Sequence, residues 1–326
     1  MSTRRQDRRQ AERRARAVKA RQAALPKTRS SFFANLSADW IAGGIIGGVV
    51  LIIGLVFASS WFFSRQGTVA PLFPQVFSLA ASPNTPNRFL IGDVSGLFIS
   101  NDGGKKWSPH VITDPVRKVY YDPNDASTFY AIGSATIRRS TDGGLTWSDW
   151  TSNLPGGAVN AMASDPADSS KRYAFVALQG LFKSEDGGAT WSQQNPFPGA
   201  SINSLAVKAG APDTVYAFHD TDGLVVSLDN GKRFDPIESS VLPSRAVSDI
   251  LTIAGEPETI YVTADQAVYK SSDGGREWLK LESGLSGVRA VALSRDSLSG
   301  KLYLTDPRGI VYSSSNGGES WLRNAS

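Results

Sequence analysis

From residue 76 onward, apolar residues come in short runs of β-branched, aromatic and aliphatic side chains, each closed by Gly, Pro, Asn, Asp or Ser. Runs of that length between turn signals predict β-strands rather than helices. The plan repeats. An inner strand (Val116 to Tyr121, Val159 to Ala163, Ile202 to Val207, Val247 to Ile253, Val288 to Leu293) is followed by a turn such as Asp122-Pro123-Asn124-Asp125. The second strand carries an aromatic at Phe89, Tyr130, Tyr173, Tyr216, Tyr261 and Tyr303, and a third strand such as Gly180 to Ser184 or Gly223 to Ser227 comes next. Upstream the pattern changes. Residues 40 to 63 contain no formal charge and are rich in Ile, Val, Leu, Gly and Phe.

The repeat is punctuated by an eight-residue phrase, clearest from Ser140 to Trp147, that returns with its last residue at 107, 147, 191, 234, 278 and 321. A period of about 40 to 45 residues is that of a propeller blade. Each part of the phrase suits a tight turn between two strands. The leading Ser and the acid two places on (Asp102, Asp142, Asp186, Asp229, Asp273, with Asn316 in the sixth copy) can hydrogen-bond nearby backbone N–H groups. The glycine at the fifth place, present in every copy, predicts a positive φ or a close approach. The closing aromatic (Trp107, Trp147, Trp191, Phe234, Trp278, Trp321) opens the fourth strand and offers a plate for burial.

The phrase resembles the Asp-box, or BNR repeat, S-x-D-x-G-x-x-W, of sialidases, sortilin-type receptors, some glycoside hydrolases and the photosystem II assembly factor propellers. That resemblance covers residues 76 to 326. It implies an all-β, six-bladed propeller with four-stranded antiparallel blades, or a seven-bladed one if the preceding stretch contributes strands. It also implies that the acids and tryptophans of the box are structural, lying away from the usual ligand face.

Composition narrows the chemistry. The chain has 326 residues, no cysteine and two histidines, so disulfides, thiolate metal sites and a histidine-rich metal centre are excluded, and no cofactor is implied. Its formal charge of +4 conceals a split: residues 1 to 39 hold 11 basic and three acidic residues (+8), leaving 34 − 11 = 23 basic and 30 − 3 = 27 acidic residues (−4) for the rest. The basic stretch from Arg4 to Leu25 is rich in helix formers and ends at Pro26. It reads as a topology signal attracted to anionic lipid headgroups, with an acidic partner as the alternative. Nucleic acid is disfavoured, because no aromatic is interleaved with the charges.

Four segments follow: a basic cytoplasmic tail (1–39), a transmembrane helix (40–63), a linker (64–75) and the propeller (76–326). The 24 uncharged residues, at 1.5 Å each, are long enough for a bilayer core of about 30 Å. Trp40 at one end and Trp61, Phe62 and Phe63 at the other resemble interfacial anchors. A cleaved signal peptide is the alternative, given Ala58, Ser59 and Ser60, but the apolar run is long for one. Basic residues before the span place the N-terminus in the cytoplasm and the propeller outside it, in the periplasm, lumen or extracellular space. Gly43 with Gly47 and Gly44 with Gly48 form small-xxx-small pairs, which fit either close packing against another helix or the ordinary glycine content of membrane helices.

The expected ligand face is built from loops joining second to third strands and from those entering the inner strands. By repeat alignment these loops carry Asp93, His219, Asp220, Asp222, Asp265, Asp306 and Arg308, with His110, Asp114, Asn153 and Arg245. The second inner-strand residue (Phe77, Arg117, Asn160, Asn203, Ser248, Arg289) is polar in five of six repeats, and equivalent positions in a radial fold form a ring. The candidate partner-binding face is therefore Arg117, Asn160, Asn203, Ser248, Arg289, His219, Asp220, Asp222 and Arg308; a solvated rim would carry similar residues. No catalytic residue is assigned. The Arg-Ile-Pro phrase of sialidases is absent, no carboxylate pair is marked, neither histidine lies near a nucleophile elbow, and the cysteine-rich module of sortilin-type receptors has no counterpart. The expectation is a non-enzymatic membrane-anchored interaction propeller: a scaffold, assembly factor or accessory subunit of a membrane protein complex. An extracytoplasmic carbohydrate-binding or glycan-hydrolysing protein is the alternative, and a signalling receptor has no output motif behind it.

Overall fold

A computed structural model describes residues 73–324 apart from 123, 134–135, 151–152, 197–200 and 244–246. The tail, the apolar run with its glycines, most of the linker and Arg245 lie outside the described residues. Within them, 24 strands form six four-stranded antiparallel sheets, each from consecutive chain, so the propeller has six blades and not seven. Among the described residues there is no α-helix, and none long and apolar enough to cross a membrane.

The inner strands run Val76–Ala81, Val116–Asp122, Val159–Asp165, Ile202–Val207, Val247–Ile253 and Ala292–Arg295. They are largely buried, whereas outer strands such as Ser108–Pro109, Ser148–Asp149 and Leu322–Arg323 are two residues long and exposed. Short outer strands ending in Pro or a charge offer little edge for another sheet to extend.

Apolar clusters fill the space between successive blades. Buried second-strand tyrosines tie one blade to the next: the Tyr173 hydroxyl donates to Pro212 O at 2.8 Å and Tyr261 to Gly317 O at 2.9 Å. Desolvation pushes the Tyr216 and Tyr261 hydroxyls up to about 12. In the first blade the box serine pairs with Phe89, as its counterparts pair with Phe129, Arg172, Val215, Ile260 and Leu302. The residue equivalent to the tyrosines is therefore Leu90, one place beyond the expected Phe89.

The eight-residue turn has one geometry in all six copies. The serine hydroxyl donates to the acid or, in the sixth copy, to the Asn316 amide oxygen, at 2.7–2.9 Å, and accepts the N–H of the fifth-place glycine at 2.8–2.9 Å. The same acid or amide oxygen accepts backbone N–H groups at the end of the turn, as from Leu145 and Thr146 to Asp142. Around Asp186 the Thr190 hydroxyl and amide hold the carboxyl down to about 2. Asp142 is held lower than its ordinary value too: desolvation opposes this, and hydrogen bonds from Thr146 outweigh it. Each fifth glycine has φ between 80° and 98° and faces the preceding blade. A Cβ on Gly188 would lie 2.3 Å from Trp150 Cη2. The fourth strands begin one residue after the closing aromatic, not on it.

The ring closes without strand exchange. Ala81 N–H donates to Ser294 Oγ at 2.9 Å, Trp107 Nε1 to Gly309 O at 3.0 Å, and Asn324 Nδ2 to Gly103 O at 3.1 Å. Phe73, within the expected linker, is buried at this seam, edge-on to Phe98 and Trp107.

Candidate functional site

Five of the six ring residues come together at the mouth of the axis where the inner strands begin. Their position follows from the strand register. In the first five blades the pairing of the inner strand skips one residue: Phe77, Arg117, Asn160, Asn203 or Ser248. A bulge of this kind leaves one residue out of the ladder and re-aims its side chain. Repeated around the ring, it brings the five side chains to a depression of about 30 Å³. Asn160 Nδ2 donates to Ser201 Oγ at 3.2 Å, and the Ser248 hydroxyl to Val291 O at 2.8 Å. Arg117 and Asn203 are exposed.

Arg289 is not part of this ring. The sixth inner strand starts at Ala292, four residues later than expected, and Ala292 pairs with Thr305 as Ser78 pairs with Gly92. The residue at the ring position is Val291, whose N–H donates to Thr305 O at 3.0 Å. Arg289 lies before the strand and donates from Nε to Gln266 Oε1 at 2.6 Å. It lines a separate recess of about 630 Å³ with Asp265, Lys280 and Glu282.

The remaining candidate residues sit in hairpin tips, where most are engaged locally. Asp220 Oδ1 accepts the Ser201 N–H at 3.1 Å. His219 Nδ1 lies 2.9 Å from Asp222 Oδ2 and 3.0 Å from Thr221 Oγ1. Arg308 donates through Nε and Nη2 to Asp306 Oδ2 at 2.8 and 2.6 Å, which raises its pKa. Asp306 is itself buried and accepts the N–H groups of Arg308 and Ile310, as Asp93 accepts those of Gln75 and Ser95. Of the other loop residues, His110 reaches Leu145 O at 3.0 Å and Asp114 pairs with Arg138 at 3.0 Å. Among the described residues no group of three or more His, Asp or Glu is placed to hold a metal ion.

Two residues that shape the site do not stand out in the sequence pattern. Lys118 and Asp249, the third residues of the second and fifth inner strands, form an ion pair across the axis. Asp249 is buried and also accepts the N–H groups of Ile250 and Leu293 at 3.1 and 3.0 Å. The two blades stand three apart, hence opposite one another in a ring of six. Opposite charges at equivalent places in opposed repeats were the signal available. Lys118 lines both the depression at the mouth and a second recess further along the axis.

Comparison with known proteins agrees on the architecture. The profile of the sortilin, neurotensin receptor 3 family (Sortilin-Vps10) matches residues 135–243 and 179–288 in two overlapping placements. No curated protein sequence matches this chain. Among solved structures, the nidogen/laminin complex is similar at 12% identity over 72% of this chain and 90% of that one, with a TM-score of 0.54. The GH74 xyloglucanase from Xanthomonas campestris is similar at 18% identity over 77% of this chain and 45% of that one, with a TM-score of 0.51. YCF48 bound to D1 peptide aligns at 15% identity over 78% of this chain and 83% of that one, with a TM-score of 0.49. The chain spans less than half the length of the GH74 enzymes it matches. At these identities the likeness shows the propeller fold and nothing of its chemistry.

Proposed function

We propose that this chain is a non-enzymatic, membrane-anchored interaction propeller, a scaffold, assembly factor or accessory subunit of a membrane protein complex. In this reading residues 40–63 span the membrane with the basic tail in the cytoplasm, and the propeller works on the other side. The observation that carries it is the mouth itself. Arg117, Asn160, Asn203 and Ser248 converge on a depression of only about 30 Å³ above the Lys118–Asp249 pair. Sites for drug-sized ligands occupy about 300–1,000 Å³. A shallow polar rim on a rigid ring offers far less than that and suits the loops of a protein partner. Three acids of the expected ligand face are committed to turns: Asp93 and Asp306 to their own hairpins, Asp220 to Ser201. The resemblance of the repeat to assembly-factor propellers supports the same reading. The glycine pairs of the span and the tail add contacts to a neighbouring helix and to anionic lipid.

The test is site-specific photo-crosslinking in the native membrane, with the probe placed at Arg117, Asn160 or Asn203 and, as a control, at Leu145 on the opposite face. Discrete adducts to the same membrane protein from the mouth positions, absent from Leu145, are expected. Adducts to glycan alone, or glycan hydrolysis lost in Asp220→Asn and Asp222→Asn, overturn the reading in favour of carbohydrate chemistry.

A further inference from the structure

Beyond the Lys118–Asp249 pair, where the inner strands end, the axis opens into a second recess of about 130 Å³ that none of the five mouth residues lines. Its lining mixes apolar side chains, Leu79, Val119 and Ile250 with Met162 beside the ion pair, with polar ones, Tyr120, Ser164 and Arg295 among them. An apolar chamber of about 150 Å³ in another protein holds one benzene ring. The recess is thus sized for a single ring or branched alkyl group. Its floor is polar in one particular way. Asp249 Oδ1 already accepts from Lys118 and from the Ile250 N–H, and Oδ2 from the Leu293 N–H. The Lys118 ammonium has three N–H donors, of which Asp249 takes one. The Lys118 side chain is 25% exposed where that of Asp249 is 2% exposed. Unused hydrogen-bonding capacity of the ion pair is therefore donor capacity.

We propose that this recess is a binding site for a small uncharged molecule with a compact apolar body and one hydrogen-bond acceptor, such as a cyclic ketone or ether. Its oxygen accepts from Lys118 and its ring fills the walls. Charge sets the selectivity. Lys118 and Asp249 neutralise one another and Arg295 lies 3.8 Å from Glu256, so an anionic or cationic head brings an uncompensated charge into the recess. The site is independent of the mouth and of the partner reading built on it.

Methionine labelling gives a direct readout, because the chain has two methionines, Met1 and the recess residue Met162. The full-length protein labelled with ¹³C-methyl methionine is titrated with cyclohexanone, cyclohexanecarboxylate and cyclohexylammonium. Cyclohexanone is expected to shift the Met162 methyl saturably, with a Kd of about 1 mM, and leave Met1 unmoved. The two charged probes bind at least about ten-fold more weakly. Leu251→Trp, which adds bulk to the wall, abolishes the cyclohexanone shift while the free Met162 signal keeps its folded position. If that variant fails to fold, the ranking of the three probes on the unmodified chain decides alone. No Met162 shift at about 10 mM cyclohexanone overturns the proposal. So does a charged probe binding as tightly, or retained cyclohexanone binding in a folded Leu251→Trp.

Discussion

Gly187 and Gly188 stand side by side in the third turn, and replacing each with alanine separates two reasons for keeping glycine there. Both have left-handed backbones, φ 72° and 96°. An alanine in that region costs about 1–2 kcal/mol whatever surrounds it. The surroundings differ. Nothing lies within 4 Å of a Cβ built on Gly187, whereas one on Gly188 meets the Trp150 ring at 2.3 and 2.5 Å. A tryptophan ring has no flexible end to swing aside, and Trp150 is stacked edge-on against Tyr130 at 5.2 Å and lies 5.6 Å from the Arg172 guanidinium. Forcing a methyl into such packing adds about 1–3 kcal/mol. Gly187→Ala is therefore expected to destabilise by about 1–2 kcal/mol and Gly188→Ala by about 2–5 kcal/mol. For a propeller of this size the added loss in Gly188→Ala lowers Tm by a further 2–12 °C or so, taking about 2–4 °C per kcal/mol. Thermal and urea unfolding followed by tryptophan fluorescence measure both variants. Equal losses would refute the argument that the fifth glycine is kept for blade-to-blade contact rather than for its turn.

Other outcomes follow from the same physical picture. Lys118→Met leaves Asp249 buried and without its cation, which costs about 3–5 kcal/mol; Lys118→Met with Asp249→Leu should recover much of it. Urea midpoints of the two variants decide whether this ion pair needs both partners. In the turns, Asp142, Asp186, Asp229 and Asp273 have carboxyl pKa values below the ordinary range through hydrogen bonds from hydroxyl and backbone groups. A depressed folded pKa gives a contribution fully present above the unfolded value of about 3.9 and lost as pH falls through the folded value. For Asp186 that loss runs from about 4 down to about 2, and ¹³C NMR titration of its carboxyl should show the midpoint near about 2. Ser140→Ala removes the acceptor for the buried Gly144 N–H and a donor to Asp142. It is expected to cost about 1–3 kcal/mol and to raise the Asp142 pKa towards the ordinary value, read by the same titration.

Much of the fold was legible because each blade carries its own punctuation. The Ser-x-Asp-x-Gly phrase needs no tertiary context to make its turn: its bonds run within five residues, as Ser140 to Gly144 shows. The bounds of Ile202–Val207 and Val247–Ile253 could be read from apolar runs flanked by turn formers. Register was harder. Phe89 and Leu90 are adjacent and both fully buried, so hydrophobicity could not say which aligns with the tyrosines; the pairing of Phe89 with Ser100 does. Val288, Ala290 and Leu293 continue an apolar rhythm through the connection, so the sequence pattern places the sixth inner strand four residues early. Bonds from Ala290 N–H to Gln266 O and from Val291 N–H to Thr305 O fix where the strand begins. Arg289 left the ring for that reason. The Lys118–Asp249 pair lies 131 residues apart and exists only because six blades close. Local pattern reports on turns and strands, and closure makes the axis.

Isolation of the full-length protein from its native membrane in mild detergent, with identification of everything that accompanies it in fixed stoichiometry, decides whether the chain works inside a membrane complex. A reproducible set of membrane subunits is expected, lost when Gly44 and Gly48 are replaced by Leu or when Arg117 and Asn203 are changed to Glu. Recovery of the chain alone, with glycan binding or hydrolysis that disappears on changing Asp220 and Asp222, would contradict it.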